Sequence, residues 1–119
     1  MQSWDLNAID TPGGTVTPVV LHSDEGRAVL IGLRAGQELG QHEVKERAWL
    51  LVVDGDVQIE VDGESHAAPA GTLATFAPEE RHSVRSEEGG RVLLLLAPWP
   101  GEGHYRTVAG ASSGRLGAA

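Results

Sequence analysis

The chain has 119 residues, and nine Lys and Arg against seventeen Asp and Glu leave it a net charge of −8 at neutral pH. That length suits one domain around one core, and the acidic surplus opposes binding to phosphate backbones, which depends on Lys and Arg. Nucleic acid is therefore not an expected partner, and with no cysteine in the chain neither a disulfide framework nor a thiolate metal site is available.

No apolar run reaches the roughly eighteen residues needed to span a bilayer, and Met1-Gln2-Ser3-Trp4-Asp5 lacks the basic and apolar regions of a secretory signal. A cytoplasmic location without membrane contact is the expectation. Sixteen glycines and six prolines lie among short Val- and Leu-rich runs, the composition of a β-barrel or sandwich with many turns.

In chain order, Thr15 to Leu21 and Arg27 to Arg34 read as strands separated by the polar turn Ser23-Asp24-Glu25-Gly26. Pro18 cannot donate to a ladder, so the first run is expected at an edge, with a bulge, or as an arm on a partner subunit. Trp49 to Val53 is apolar throughout and is expected to be buried on both faces. Asp54-Gly55 then suits a tight hairpin turn. Val57, Ile59 and Val61 alternate with Asp56, Gln58, Glu60 and Asp62, the pattern of a strand with one wet face, and Asp62-Gly63 marks a further turn.

Thr72 to Phe76, His82 to Ser86 and Val92 to Ala97 complete a set of eight or nine short strands, with Glu87-Glu88-Gly89-Gly90 as a turn. Leu93 to Leu96 is apolar on both faces, which a lone barrel does not need, so a homodimer is expected to cover the outer one. The domain is expected over residues 1–106 with an N-terminal arm, followed by a loosely held Gly/Ala/Ser-rich tail over 107–119.

Two glycine-punctuated stretches resemble the cupin superfamily, whose first motif is Gly-x5-His-x-His-x3-Glu-x6-Gly and whose second is Gly-x5-Pro-x-Gly-x2-His-x3-Asn. In the first, Gly36, His42 and Gly55 match, while Val44 stands on the second His and Ala48 on the Glu. In the second, Gly71 and His82 match, while Ala77, Glu79 and Ser86 stand on Pro, Gly and Asn, and Pro78 falls one residue late. This ungapped register runs from residue 36 to residue 86. The resemblance implies an all-β, antiparallel jelly-roll barrel, commonly dimeric, with a pocket between its sheets. The superfamily hosts dioxygenases, isomerases, epimerases, storage proteins and ligand-sensing modules, so the fold alone names no reaction.

Complete members hold a divalent metal (Fe, Mn, Ni or Zn) on three histidines and a glutamate. Here His42 and His82 are the candidate ligand-binding and metal-ligating residues, expected to look into the barrel and to face each other across the pocket. Glu46 is the candidate replacement carboxylate because it shares parity with His42, although the motif puts it in a turn, where solvent is the commoner environment. Glu43 has the wrong parity. Two imidazoles hold a metal weakly. They serve equally as buried polar groups bonded to water or backbone, or as hydrogen-bonding partners of an anionic or sugar-like ligand.

His22 and His66 read as surface residues or barrel filling. His104, after Trp99-Pro100-Gly101, reads as a cap on a barrel mouth, and Trp99 as packing on the barrel exterior or a dimer seam. There is neither a phosphate-cradling Gly-rich loop ahead of a helix nor a Cys nucleophile, and no Ser-His-Asp arrangement stands out. The first functional reading is a barrel that binds a small polar molecule or a weakly held metal. The second is a metal-dependent dioxygenase or isomerase acting on a small organic substrate, and the third is a dimerisation platform whose pocket is filled by side chains. Catalytic residues are not assigned.

Overall fold

A computed structural model describes residues 1–11 and 18–101, with Gln41 and His42 described in their backbone only. The expected tail over 107–119 and His104 lie outside the described residues. Among the described residues eight strands follow one another: β1 (Val19–Ser23), β2 (Arg27–Leu33), β3 (Glu38–His42), β4 (Arg47–Val61), β5 (Glu64–Pro69), β6 (Leu73–Phe76), β7 (His82–Arg85) and β8 (Gly90–Ala97). All pairings are antiparallel. The order is β1-β2-β8-β4-β7-β3, with β5 and β6 also paired to β4, and the sheet curls into a barrel. Among the described residues no helix is long and apolar enough to cross a membrane.

β1 starts after Pro18 and, among the described residues, pairs with β2 alone, with a register shift between Val20 and His22. A proline is tolerated ahead of such a strand because no ladder bond is asked of it. Two strands went unread in the sequence. β3, with a glycine and three polar residues in five, and β5, exposed at most positions, lack the apolar alternation that marks a half-buried strand.

Asp54-Gly55 is not a hairpin turn. β4 runs unbroken through it for 15 residues, and the register against β8 shifts between Val52 and Asp54. Before this bulge the strand pairs with β6 and β8; beyond it, with β5 and β7. The extra residue flips the alternation, so Ala48, Leu50 and Val52 face inward on one side and Val57 and Ile59 on the other. Gly55 has φ +74°, and a Cβ there would overlap Gly89 O and Gly90 Cα. The Asp-Gly pair, which suits a tight turn by its freedom at positive φ, suits a bulge for the same reason. The second pair does form the tight turn. Asp62 and Gly63, both with positive φ, join β4 to β5.

The core is made by inward residues of six strands: Val29, Ile31 and Leu33 of β2, Val92, Leu94 and Leu96 of β8, the β4 set, Ala68 of β5, Phe76 of β6 and Val84 of β7. The first half of β4 is not buried on both faces. Trp49, Leu51 and Val53 on its outer side are half-buried, and Leu73 and Leu95 beside them are exposed. At the opposite edge of this face the N-terminal arm is fastened down. The Arg91 guanidinium donates to Asn7 O and Ile9 O, and Thr11 sits where a Cβ on Gly32 would be.

Replacing Gly55 by Ala combines a disfavoured φ with overlap against backbone that cannot rotate away. The Gly55→Ala protein is expected to lose more than about 2 kcal/mol in chemical denaturation. A loss below half of that would mean that the bulge is not a close crossing.

Candidate functional site

His82 opens β7, and its ring is 1% exposed, on the same inward face as Val84 and Ser86. Phe76, the last residue of β6, stacks flat on it, with centroids 3.9 Å apart and planes 3° from parallel. His82 Nδ1 lies 3.1 Å from Glu80 O. A carbonyl only accepts, so Nδ1 carries the proton, and in the neutral ring Nε2 is the acceptor or ligating atom. Ring plane and tautomer are both set by neighbours.

The loop that delivers His82 is fastened to the segment between β3 and β4. Glu79 N donates to Val44 O at 2.7 Å, Lys45 Nζ lies 3.1 Å from Glu79 Oε2, and Arg81 Nη1 lies 3.7 Å from Glu43 Oε1. Glu79 adopts φ 68°, a left-handed conformation that costs a non-glycine residue about 1 kcal/mol. It stands where the cupin motif has glycine. The backbone shape is kept although the residue that suits it is gone, and the Val44 and Lys45 contacts oppose the strain.

Glu46 is not in solvent. It is 1% exposed, because the inward alternation of β4 starts ahead of the strand, through Val44, Glu46 and Ala48. A carboxylate taken from water is costly unless hydrogen-bonded, and Glu46 Oε2 accepts from Gly101 N at 2.7 Å. A Cβ on the buried Gly101 would come within 3.1 Å of Glu46 Cγ and Lys45 O. Residues 98–101 thus form a strap. Trp99 N donates to Glu25 O at 2.8 Å, and the Arg27 guanidinium lies 4.7 Å from the Trp99 ring centroid. Trp99 is half-buried and packs on the core cluster rather than on the barrel exterior.

His42 ends β3, and its Cα is paired with that of His82. The two residues are neighbours on adjacent strands and not on opposite walls, because β3 and β7 lie side by side in the sheet. His22 is half-buried at the end of β1, and His66 is exposed on β5. Neither belongs to this site. Phe76 and Gly101 were missed by sequence reasoning. Phe76 shares inward parity with Ala74 and is the chain's single phenylalanine, which is a weak signal, and nothing local marks Gly101 as a donor to Glu46.

A metal shell asks for several converging donors. Val44 and Ala48, 5% and 0% exposed, bring aliphatic groups to two of the motif's ligand slots, and Glu46 gives its Oε2 to the strap. The described donor set does not fit a complete metal centre. Its chemistry is that of an oriented imidazole in an apolar wall. Among the described residues, the group of metal-capable side chains that does converge is His22, Asp24 and Glu25 on the β1–β2 turn, away from the barrel interior.

The sequence model described as AraC-like ligand binding domain matches residues 28–101. No curated protein matches the chain. Among solved structures, an RmlC-like cupin protein from Desulfovibrio desulfuricans is similar with a TM-score of 0.74 at 26% identity, over 82% of this chain and 97% of that one. An uncharacterized conserved protein with a double-stranded β-helix domain from Klebsiella pneumoniae has a TM-score of 0.76 at 17% identity, over 84% and 92%. A cupin superfamily protein from Desulfitobacterium hafniense has a TM-score of 0.70 at 15% identity, over 77% and 85%. The fold is the cupin double-stranded β-helix.

If Glu46 is the anchor of the strap, Glu46→Ala strands the buried Gly101 N–H and is expected to lower stability by about 1–3 kcal/mol. Glu46→Gln keeps an acceptor oxygen for Gly101 N, so it is expected to lose less. Equal losses in thermal unfolding would count against the hydrogen bond as the source.

Proposed function

Because the chain belongs to the AraC-like ligand-binding domain family, we propose that it is a binding module that takes a small polar molecule inside the barrel, against His82 and the neighbouring His42. The observation that carries this reading is the His82 ring. It is buried, held flat by Phe76 and held in one tautomer by Glu80 O, the preparation of a group that recognises a hydrogen-bonding ligand. Val44 and Ala48 supply shape and dryness in place of metal coordination. A weakly held Fe, Mn, Ni or Zn ion on His42 and His82 is the alternative, and with it a metal-dependent dioxygenase or isomerase. The aliphatic residues in the ligand slots weigh against it.

The exposed outer face supports a homodimer. Leu93 pairs with Leu51, and Leu51 with Leu73, so the three form one cross-strand apolar row, with Leu73 63% exposed. A second copy placing the same row against it would bury both.

Ligands that bind only the folded state raise its stability, by about 2.7 kcal/mol at a hundredfold excess over Kd. Thermal unfolding with a panel of small sugars and carboxylic acids is expected to find a stabilising compound whose effect disappears in His82→Leu. Fe(II), Mn, Ni and Zn are expected to leave the parent unchanged and to stabilise Val44→His/Ala48→Glu, which restores two donors. A metal that stabilises the parent but not His82→Leu would establish the metal site that the alternative requires. In sedimentation velocity the parent is expected to run as a dimer and Leu73→Glu as a monomer, and a monomeric parent would remove the dimer.

A further inference from the structure

A ligand recognised by His82 has to reach a ring that is 1% exposed, so a covering segment has to move. Among the described residues two segments meet at this end of the barrel, and they are held by different means. The strap over residues 98–101 is fixed from within. Gly101 is buried and its N–H donates to the buried Glu46 Oε2, and Trp99 packs on the core. A bond between buried polar groups is costly to break singly.

The turn over residues 77–81 is fixed from outside. Ala77, Pro78, Glu79 and Arg81 are exposed, while Phe76 and His82 at its two ends are buried and stacked on each other. The turn is stapled internally, Ala77 N donating to Glu80 Oε1 at 2.9 Å and Glu80 N to Ala77 O at 3.0 Å, so it moves as one piece. Its ties to the segment before β4 are the bond from Glu79 N to Val44 O and the ion pairs of Glu79 with Lys45 and of Arg81 with Glu43, whose side chains are between 27% and 62% exposed. Exposed ion pairs are weak and are screened by salt. Both segments lie beyond the ladder pair of His42 with His82, so parting them unzips no strand. Parting also releases Glu79 from its φ of 68°, a strained conformation that persists only while surrounding contacts impose it.

We propose that the turn over 77–81 is the gate of the barrel site, an ion-paired latch that parts from the segment before β4 to admit the ligand to His82 while the strap stays shut. His82 Nδ1 is bonded to Glu80 O of the same turn. The movement that admits the ligand therefore also unlocks the ring, and closure restores its tautomer. This inference rests on the reading of His82 as the recognition group. The gate itself is tested in the free protein, so its failure and the failure of that reading are distinguishable.

Three protons of the full chain report the gate through their exchange with water, followed by NMR. Glu79 N–H is bonded across it, His82 Nδ1–H lies beneath it, and Gly101 N–H belongs to the strap. Lys45→Met keeps the aliphatic stem and removes the latch charge. It is expected to speed exchange of Glu79 N–H and His82 Nδ1–H in parallel, by about two- to five-fold relative to Gly101 N–H. Raising sodium chloride from about 0.01 M to about 1 M is expected to act in the same direction on the parent, where no substitution disturbs folding. Exchange at Glu79 and His82 that is indifferent to both changes would overturn the latch. In Glu46→Gln, where the strap is loosened, the His82 ring proton is expected to keep its rate while Gly101 N–H speeds up. A ring proton that followed Gly101 would make the strap the entrance and overturn the gate.

Discussion

A strand that serves two sheets has to change the face it shows the core, and β4 does so at Gly55. Residues up to Val52 turn their even positions inward, and from Val57 the odd positions take over. Without the bulge one half of β4 would point Val57 and Ile59 to water, and the barrel could not bury both its walls. The exchange happens where β4 passes within contact of Gly89 and Gly90, so it also sets how closely the β7–β8 turn can approach. Everything that positions the site lies along this strand: Glu46 just before its start, Ala48 in a motif slot, and β7 with His82 paired to its far half.

The end of the barrel near Glu46 is organised by polar groups that would be liabilities if left alone. Glu46 is buried and bonded to Gly101, Glu79 is strained and tied to Val44 and Lys45, and His82 is buried and bonded to Glu80. The Glu46 and Glu79 bonds join segments that the sheet ladder does not. The strap, the loop before β7 and the segment before β4 are held together by them. Hydrogen bonds in such a setting add modest net stability but are costly to break singly, so they select one geometry more than they strengthen the fold. A rigid, dry wall with one oriented imidazole suits recognition by hydrogen bonding.

The outer face follows a different logic. Its apolar rows are half covered or open, and the acidic β1–β2 turn stands at one end of them. Interior and exterior thus offer distinct chemistries, an oriented hydrogen-bonding group within and half-open apolar rows without. The strap connects the two regions, since Trp99 is fastened to Glu25 on one side and Gly101 to Glu46 on the other.

Local chemistry is sufficient for much of this molecule. The alternation from Val57 to Val61, the Asp62-Gly63 turn, the glycines at 36, 55 and 71, all with positive φ, and the spacing from Gly36 to Ser86 are properties of neighbouring residues, and they determine an antiparallel cupin barrel with aliphatic groups in two ligand slots. Whether Asp54-Gly55 reverses the chain or bends it is not local, because both need positive φ and only the pairing partners of β4 distinguish them. The hydrogen-bond partner of the buried Glu46 is likewise not local, since Gly101 lies 55 residues away, and the alignment of His42 with His82 is decided by the pairing of β3 with β7. Contacts between distant segments carry no signature in either segment alone, so the tertiary structure decided which polar groups are latched, which ring is oriented and which faces stay open.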